Sequence, residues 1–337
     1  MHAFREPLRI EEVPEPELPA DGALVEVRAT GLCRSDWHGW MGHDAAIALP
    51  HVPGHEFAGV VAAVGPEVLG VTPGDRVTAP FCCGCGVCEP CRQGHTQVCE
   101  RDYQPGFSGW GSFAERVLVP VADLNCVPLS GELAFEAAAA LGCRFMTAFA
   151  AVGERGGVRA GAWLAVHGCG GVGLSAVMLG RALGARVVAV DVDERPLALA
   201  RELGAEHALD AREGDPAERI RALTGGGAHV SIDAIGDGAT AAASVRSLRR
   251  RGRHVQVGLL GEDREPRVPM AELISRELEI AGVHGMPVRD YPAVLRLVAS
   301  GAVDPARLIR RRIGLEDAGA ALAAMDGPAD GITVVAL

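Results

Sequence analysis

The chain has no lysine; its permanently charged cations are all arginine. That excludes Schiff-base catalysis, which needs a lysine amine, and any tyrosine–lysine proton relay. Tyrosine is nearly as scarce, with only Tyr103 and Tyr291 present. Although 48% of the chain is hydrophobic, no run approaches the roughly 18–20 apolar residues of a membrane span. The opening stretch Met1-His-Ala-Phe-Arg-Glu-Pro7 lacks the apolar centre of a secretory signal. The expected address is therefore the cytoplasm, with no membrane partner. Positive charge is in deficit: a net charge of −11 repels a phosphate backbone. The densest basic run, Arg249-Arg-Arg-Gly-Arg253, falls at the end of an apparent helix, where it complements the helix dipole and meets solvent. No nucleic-acid partner is expected.

What is present points to metal. Ten cysteines in a chain of cytoplasmic character argue for metal ligation over disulfides. Six of them lie in Cys82–Cys99, too clustered for a general disulfide scaffold. Cys85, Cys88, Cys91 and Cys99 follow the spacing C-x2-C-x2-C-x7-C. Four thiolates so spaced can close a tetrahedron around one zinc, leaving no position for substrate, so the lobe is structural. Cys82 and Cys83 are spare.

A second polar cluster is Gly31-Leu-Cys-Arg-Ser-Asp-Trp-His38, answered by Gly54-His-Glu-Phe57. Cys33 and His55 are both good zinc ligands. Ser35 and His38 sit where a proton can be passed, and Asp36 and Glu56 are carboxylates close enough to orient a metal-bound imidazole. The plain alternative is a reduced core cysteine beside satisfied loop histidines. Cys143, in Gly142-Cys-Arg-Phe-Met-Thr147, is either a third ligand or a small buried residue at a helix junction; spacing alone leaves both open.

The first part of the chain alternates short apolar stretches with Gly and Pro, as in Leu24–Thr30, Glu56–Val64 and Val77 onward. That suggests a small barrel-like β domain, with a further strand over Trp110–Val117. From Gly161 the pattern becomes strand–helix alternation. Strands are expected at Ala162–His167, Arg186–Val190, His207–Leu209, Val230–Ala234, His254–Gly258 and Leu278–Val283. Helices fall between them, including Ala239–Arg249. Six such strands suit a doubly wound parallel dinucleotide sheet. Gly168-Cys-Gly-Gly-Val-Gly173 follows a strand and opens a helix, and Asp191 ends the next strand, which is the full context the glycine fingerprint requires. Gly168 allows the tight turn, Gly170 and its neighbours Gly171 and Val172 bring backbone to the diphosphate, and Gly173 allows close helix–strand packing. Asp191 can accept both adenosine ribose hydroxyls and repels a 2′-phosphate, so NAD is expected over NADP. Asp193 and Glu194 add to that repulsion; Arg195 opposes it. The last strand, Ile332–Ala336, is expected to pair back into the first domain.

Together these stretches resemble the zinc-dependent medium-chain alcohol dehydrogenase family over essentially the whole chain. The resemblance implies a Rossmann domain at 146–283 and a discontinuous GroES-like catalytic domain at 1–145 and 284–337. It implies a catalytic zinc on Cys33, His55 and Cys143, with Asp36 orienting His55 and Glu56 behind the metal as a supporting group or transient ligand. Ser35 and His38 become a proton relay through the nicotinamide ribose, Phe81 a pocket aromatic and Thr147 a cofactor contact. Two zinc ions per chain, NAD and a small alcohol, aldehyde or ketone are the implied ligands, in a homodimer or homotetramer. Two features depart from the family pattern: the amino terminus is cut down to Met1–Ile10, and Pro196 stands where some members carry a basic residue near the adenosine. The competing readings are a zinc-independent reductase of the same superfamily and a zinc-stabilised NAD-binding sensor without turnover.

Overall fold

The structure, a computed structural model, describes residues 1–260, 268–327 and 330–337. Its strands in chain order are β1 (Ala23–Leu32), β2 (Glu56–Val64), β3 (Arg76–Thr78), β4 (Arg116–Val119), β5 (Val127–Pro128), β6 (Trp163–His167), β7 (Arg186–Asp191), β8 (His207–Asp210), β9 (Ala228–Asp233), β10 (Leu248–Gln256), β11 (Glu279–Gly282), β12 (Ile309–Ile313) and β13 (Ile332–Ala336).

Two sheets result. In the seven-stranded sheet the order is β12-β13-β1-β2-β3-β5, with β4 also on β1. β1 is its axis. One edge pairs antiparallel with β2 throughout, and the other takes β4 over Ala23–Glu26 and β13 over Ala29–Leu32. Slips in the β1–β2 register between Leu24 and Val25 and between Val27 and Ala29 bend the sheet around its own apolar filling. Val25, Val27, Phe57, Val61, Val77 and Val117 belong to that filling.

The six-stranded sheet is parallel throughout, in the order β11-β10-β9-β6-β7-β8. All five residues of β6 are buried, as expected of a central parallel strand covered on both faces. The order reverses between β6 and β9, so a crevice opens beyond their carboxyl ends. Leu141, Phe145 and Met146 share one apolar cluster with Leu164, Val166 and Leu174 and with Ala29 and Val334. The helix Cys143–Ala150 is thereby fastened between the sheets, each buried large side chain contributing about 1.5–3 kcal/mol.

The expected parallel strands all form, and Ile332–Ala336 does pair back into the first sheet. Several local readings need correction. Short β-structure is expected over residues 1–30, but the first strand starts at Ala23, and the cysteine–histidine stretch contains a helix, Arg34–Trp40. Of the strand expected over Trp110–Val117 only Arg116 and Val117 form, at the start of β4. The amides of Gly111, Ser112 and Phe113 instead donate to carbonyls of Val52, Gly54 and Pro53, a backbone approach that glycine permits: a Cβ on Gly111 would lie 2.1 Å from the Gly54 carbonyl oxygen. The arginine run caps no helix; the helix stops at Arg246 and the run lies in β10, where Arg251 has φ +58. β12, Ile309-Arg-Arg-Arg-Ile313, escaped notice because three arginines break the apolar alternation; as an edge strand it uses those charges to discourage further pairing. Among the described residues no helix is long and apolar enough to cross a membrane.

Candidate active site and metal centres

The β1–β2 register sets the first site. Gly31 lies opposite Glu56, so the end of β1, which delivers Cys33, meets the start of β2, which follows His55. Cys143 arrives from the opposite side at the first turn of its helix. One donor atom each from Cys33, His55, Cys143 and Glu56 falls within 4.8 Å of the others.

Asp36 organises this group. Its carboxylate accepts Cys33 N–H at 2.8 Å, Gly54 N–H at 3.1 Å and His55 Nδ1–H at 2.8 Å. With Nδ1 engaged, His55 Nε2 is buried and has no hydrogen-bond partner. Left so, it would cost about 1–3 kcal/mol. An imidazole nitrogen clustered with two thiols is a donor set that fits zinc. The Cys33 thiol is drawn well below the ordinary range by a hydrogen bond from Cys143, against burial, with further help from His55. Cys143 correspondingly holds its proton. Burial works to lower the His55 pKa, but Asp36 and Cys33 outweigh it and the net shift is upward.

Ser35 and His38 lie one turn apart on the helix Arg34–Trp40. Ser35 Oγ is 3.8 Å from Cys33 Sγ, whereas His38 Nδ1 faces His43 Nδ1 at 3.0 Å, with Trp37 edge-on to both rings. Phe81 and Phe107 flank the His55 ring, at centroid distances of 6.1 and 5.2 Å. Trp40 and Trp110 instead use their indole N–H on backbone oxygens of Glu6 and Pro50.

Sequence reasoning did not single out Arg144. It is buried, its backbone N–H and Nε both reach Glu56 Oε1 at 3.0 Å, and its Nη2 reaches Oε2. Nη1 donates to Leu32 O at 2.9 Å. Burial alone would lower its pKa, but the Glu56 carboxylate carries it up. Its only signal in the sequence was adjacency to Cys143. Gly31 makes room for the pair: a Cβ there would lie 2.3 Å from Glu56 Oε2.

Cys85, Cys88, Cys91 and Cys99 form a second group of the same compactness, with Cys82 and Cys83 outside it. Cys99 Sγ accepts the N–H of Cys85 and of Arg101, each at 3.3 Å; burial raises its pKa, these contacts oppose the rise, and the net shift is upward. Backbone N–H groups, first that of Val87, pull Cys85 down to about 6. The lobe is tied to the chain after β11: Val288 N–H donates to Thr96 Oγ1 at 3.0 Å and Arg289 Nη1 to Gln93 O at 2.9 Å.

The glycine fingerprint sits at the carboxyl end of β6, and the helix Gly171–Ala182 starts from it. Gly168 has φ +94, and a Cβ on Gly173 would lie 1.7 Å from Gly168 O. Asp191 accepts N–H from Cys169 at 2.7 Å, Val192 at 2.7 Å and Asp193 at 3.1 Å, so its carboxylate is fixed beside the fingerprint. Arg195 is occupied by Asp193, and Arg212 by Asp210; Asp210 is lowered to about 2, chiefly by Arg212. Thr147 donates to Cys143 O at 2.6 Å.

A second feature missed in the sequence is a buried polar chain under the crevice. His254 Nδ1 meets Ser244 Oγ at 3.0 Å, its Nε2 meets Gln256 Oε1 at 3.1 Å, and Gln256 Nε2 donates to Asp233 Oδ2 at 2.9 Å. Asp233 Oδ1 then accepts the N–H of Ile235 and Gly236, at 2.8 and 3.2 Å. His254 and Gln256 share one face of β10, and the β9–β10 register sets Gln256 opposite Asp233.

Comparison with known proteins agrees with this architecture. Residues 19–131 match the alcohol dehydrogenase GroES-like domain, and residues 171–300 match the zinc-binding dehydrogenase family. An alcohol dehydrogenase of Geobacillus stearothermophilus is 34% identical over 302 residues, 89% of this chain and 88% of that protein. The chain belongs to the zinc-dependent medium-chain alcohol dehydrogenase family. Another member, the NAD-dependent alcohol dehydrogenase of Sulfurisphaera tokodaii, is 32% identical over 94% of this chain and 92% of its own length. Among solved structures of the family, an alcohol dehydrogenase from Thermus sp. ATN1 superposes with a TM-score of 0.93 at 31% identity, covering 100% of this chain and 98% of that one.

Proposed function

We propose that the protein interconverts an alcohol and its aldehyde or ketone, with a catalytic zinc on Cys33, His55 and Cys143, a structural zinc on Cys85, Cys88, Cys91 and Cys99, and NAD in the crevice of the parallel sheet. The observation that carries this reading is the buried, unpartnered His55 Nε2 in a ring clustered with two thiols. Zinc supplies a Lewis acid that lowers the pKa of a bound hydroxyl, and NAD supplies a hydride acceptor.

The chain's own residues do the rest. Asp36 holds the imidazole in one tautomer. Ser35, beside Cys33, accepts a proton as its own hydroxyl proton leaves, and His38, facing His43, is placed to pass a proton outward. Phe81 and Phe107 keep water from His55. The fixed Asp191 carboxylate supports NAD over NADP, since the two nearby arginines are already paired. The division into 1–145 with 284–337 and 146–283 follows the two sheets. Among the described residues β11 ends the sheet, and its position there, with Ile280 exposed, supports subunit pairing into a dimer or tetramer.

The test is a panel of primary and secondary alcohols assayed with NAD and NADP, on protein analysed for metal. Two zinc ions per chain and NADH formation are expected, with Cys33→Ala inactive yet still binding NAD. Asp191→Ala is expected to narrow the NAD preference by about tenfold or more, the value of one lost charge-assisted contact pair. Protein carrying both zinc ions that reduces neither cofactor with any alcohol refutes the reading.

A further inference from the structure

We propose that Arg144 is a positioning residue that keeps Glu56 off the catalytic metal and so holds one coordination position open for substrate. The inference rests on the zinc assignment to Cys33, His55 and Cys143.

Glu56 is a real competitor for that metal. One of its carboxylate oxygens lies within 4.8 Å of all three ligand atoms. A site of two thiolates, one imidazole and one carboxylate is a closed four-ligand set, and closed zinc sites are structural. Glu56 is fully buried, and a buried carboxylate needs a cationic or hydrogen-bonding partner wherever it turns.

Arg144 engages both oxygens at once. Nε and the backbone N–H take Oε1, and Nη2 takes Oε2. The guanidinium is itself anchored, by Nη1 on Leu32 O. Its stem is anchored too: a Cβ on Gly171 would lie 2.3 Å from Arg144 Cδ, so the first residue of the cofactor helix must stay small for the arginine to lie flat. A planar fork with donors on two sides suits this task; a lysine ammonium offers a single point of attachment.

The test uses the full-length protein with cobalt in the catalytic site and zinc in the four-cysteine lobe. Imidazole is the probe of the open position, read from the visible cobalt bands. Wild type should show a thiolate–cobalt charge-transfer band and shift its bands on imidazole addition; failure of either refutes the underlying metal assignment. In Arg144→Met the freed Glu56 should occupy the open position, weakening imidazole binding by about tenfold or more, in the 10–100-fold range seen when a ligand-supporting group is lost. In the double variant Glu56→Gln/Arg144→Met, imidazole affinity should return toward the wild-type value. Wild-type imidazole affinity in Arg144→Met, or no recovery in the double variant, overturns the proposal while leaving the metal assignment intact. Should Arg144→Met not fold, Arg144→Lys retains the charge but not the two-point hold. It should weaken imidazole binding in the same direction, and unchanged affinity there overturns the proposal.

Discussion

Asp36→Asn is the sharpest single perturbation of the site. The Asp36 carboxylate is buried and accepts three N–H groups, from Cys33, Gly54 and His55. An asparagine amide has the same shape but only one acceptor oxygen. If that oxygen keeps Gly54 and His55, which share Oδ1, its NH2 meets the Cys33 N–H that Oδ2 had accepted. Leaving that buried donor unpaired costs about 1–3 kcal/mol. The bond from His55 also loses its charge assistance, worth a further ~1–2 kcal/mol beyond a neutral bond. The total, about 2–5 kcal/mol, is divided between folding and metal binding. With 1.4 kcal/mol per decade, a tenfold to hundredfold loss of zinc affinity at the catalytic site is expected, together with a lower melting temperature. The assay is competition with a chromogenic chelator, which separates the two zinc ions by their rates of release, alongside thermal unfolding. Release of the four-cysteine zinc should not change. Both zinc ions held as tightly as in wild type, with unchanged melting, would refute the argument that Asp36 fixes the imidazole.

Two other expectations follow from buried positions elsewhere. His167 is buried, its Nε2 lacks a partner, and burial pushes its pKa down to about 3. It is therefore neutral when folded, while the unfolded chain protonates it below about 6.5. Folding stability is lost as pH falls through 6.5 toward 3, at up to ~1.4 kcal/mol per unit, or about 2 kcal/mol by pH 5. Denaturant titrations at pH 7 and pH 5 should show that loss shrink in His167→Leu; an equal loss in both proteins would locate the acid sensitivity elsewhere. Gly173→Ala places a methyl 1.7 Å from Gly168 O, a backbone atom that cannot swing aside. The variant should lose more than the ~1–3 kcal/mol of ordinary overpacking and bind NADH at least about tenfold more weakly by fluorescence titration; near-native affinity would mean the fingerprint turn is looser than it looks.

Much was legible in the sequence because it depends on local pattern. Four cysteines at short spacing, a glycine turn between strand and helix, and an acid ending the next strand each carry their geometry within a few residues. The six parallel strands were legible for the same reason, since strands covered on both faces read as continuous apolar runs. What the sequence could not decide was which distant residues meet. Cys143 had two readings by spacing, and only the fastened helix brings its thiol within 4.8 Å of donor atoms of Cys33 and His55. Arg144 looked like an ordinary arginine beside a cysteine, yet its fork spans from β2 to the end of β1. The arginines of β10 misled because a run of charge in an inner strand resembles charge at a helix end, and those of β12 because they break the apolar alternation of an edge strand. The Cys33–His38 stretch carries a thiol, a hydroxyl and the Asp36 carboxylate by composition alone. That they meet His55 and Cys143 in one compact donor cluster was decided by the β1–β2 register and by a core continuous between the two sheets, because only tertiary packing brings together groups that are far apart along the chain.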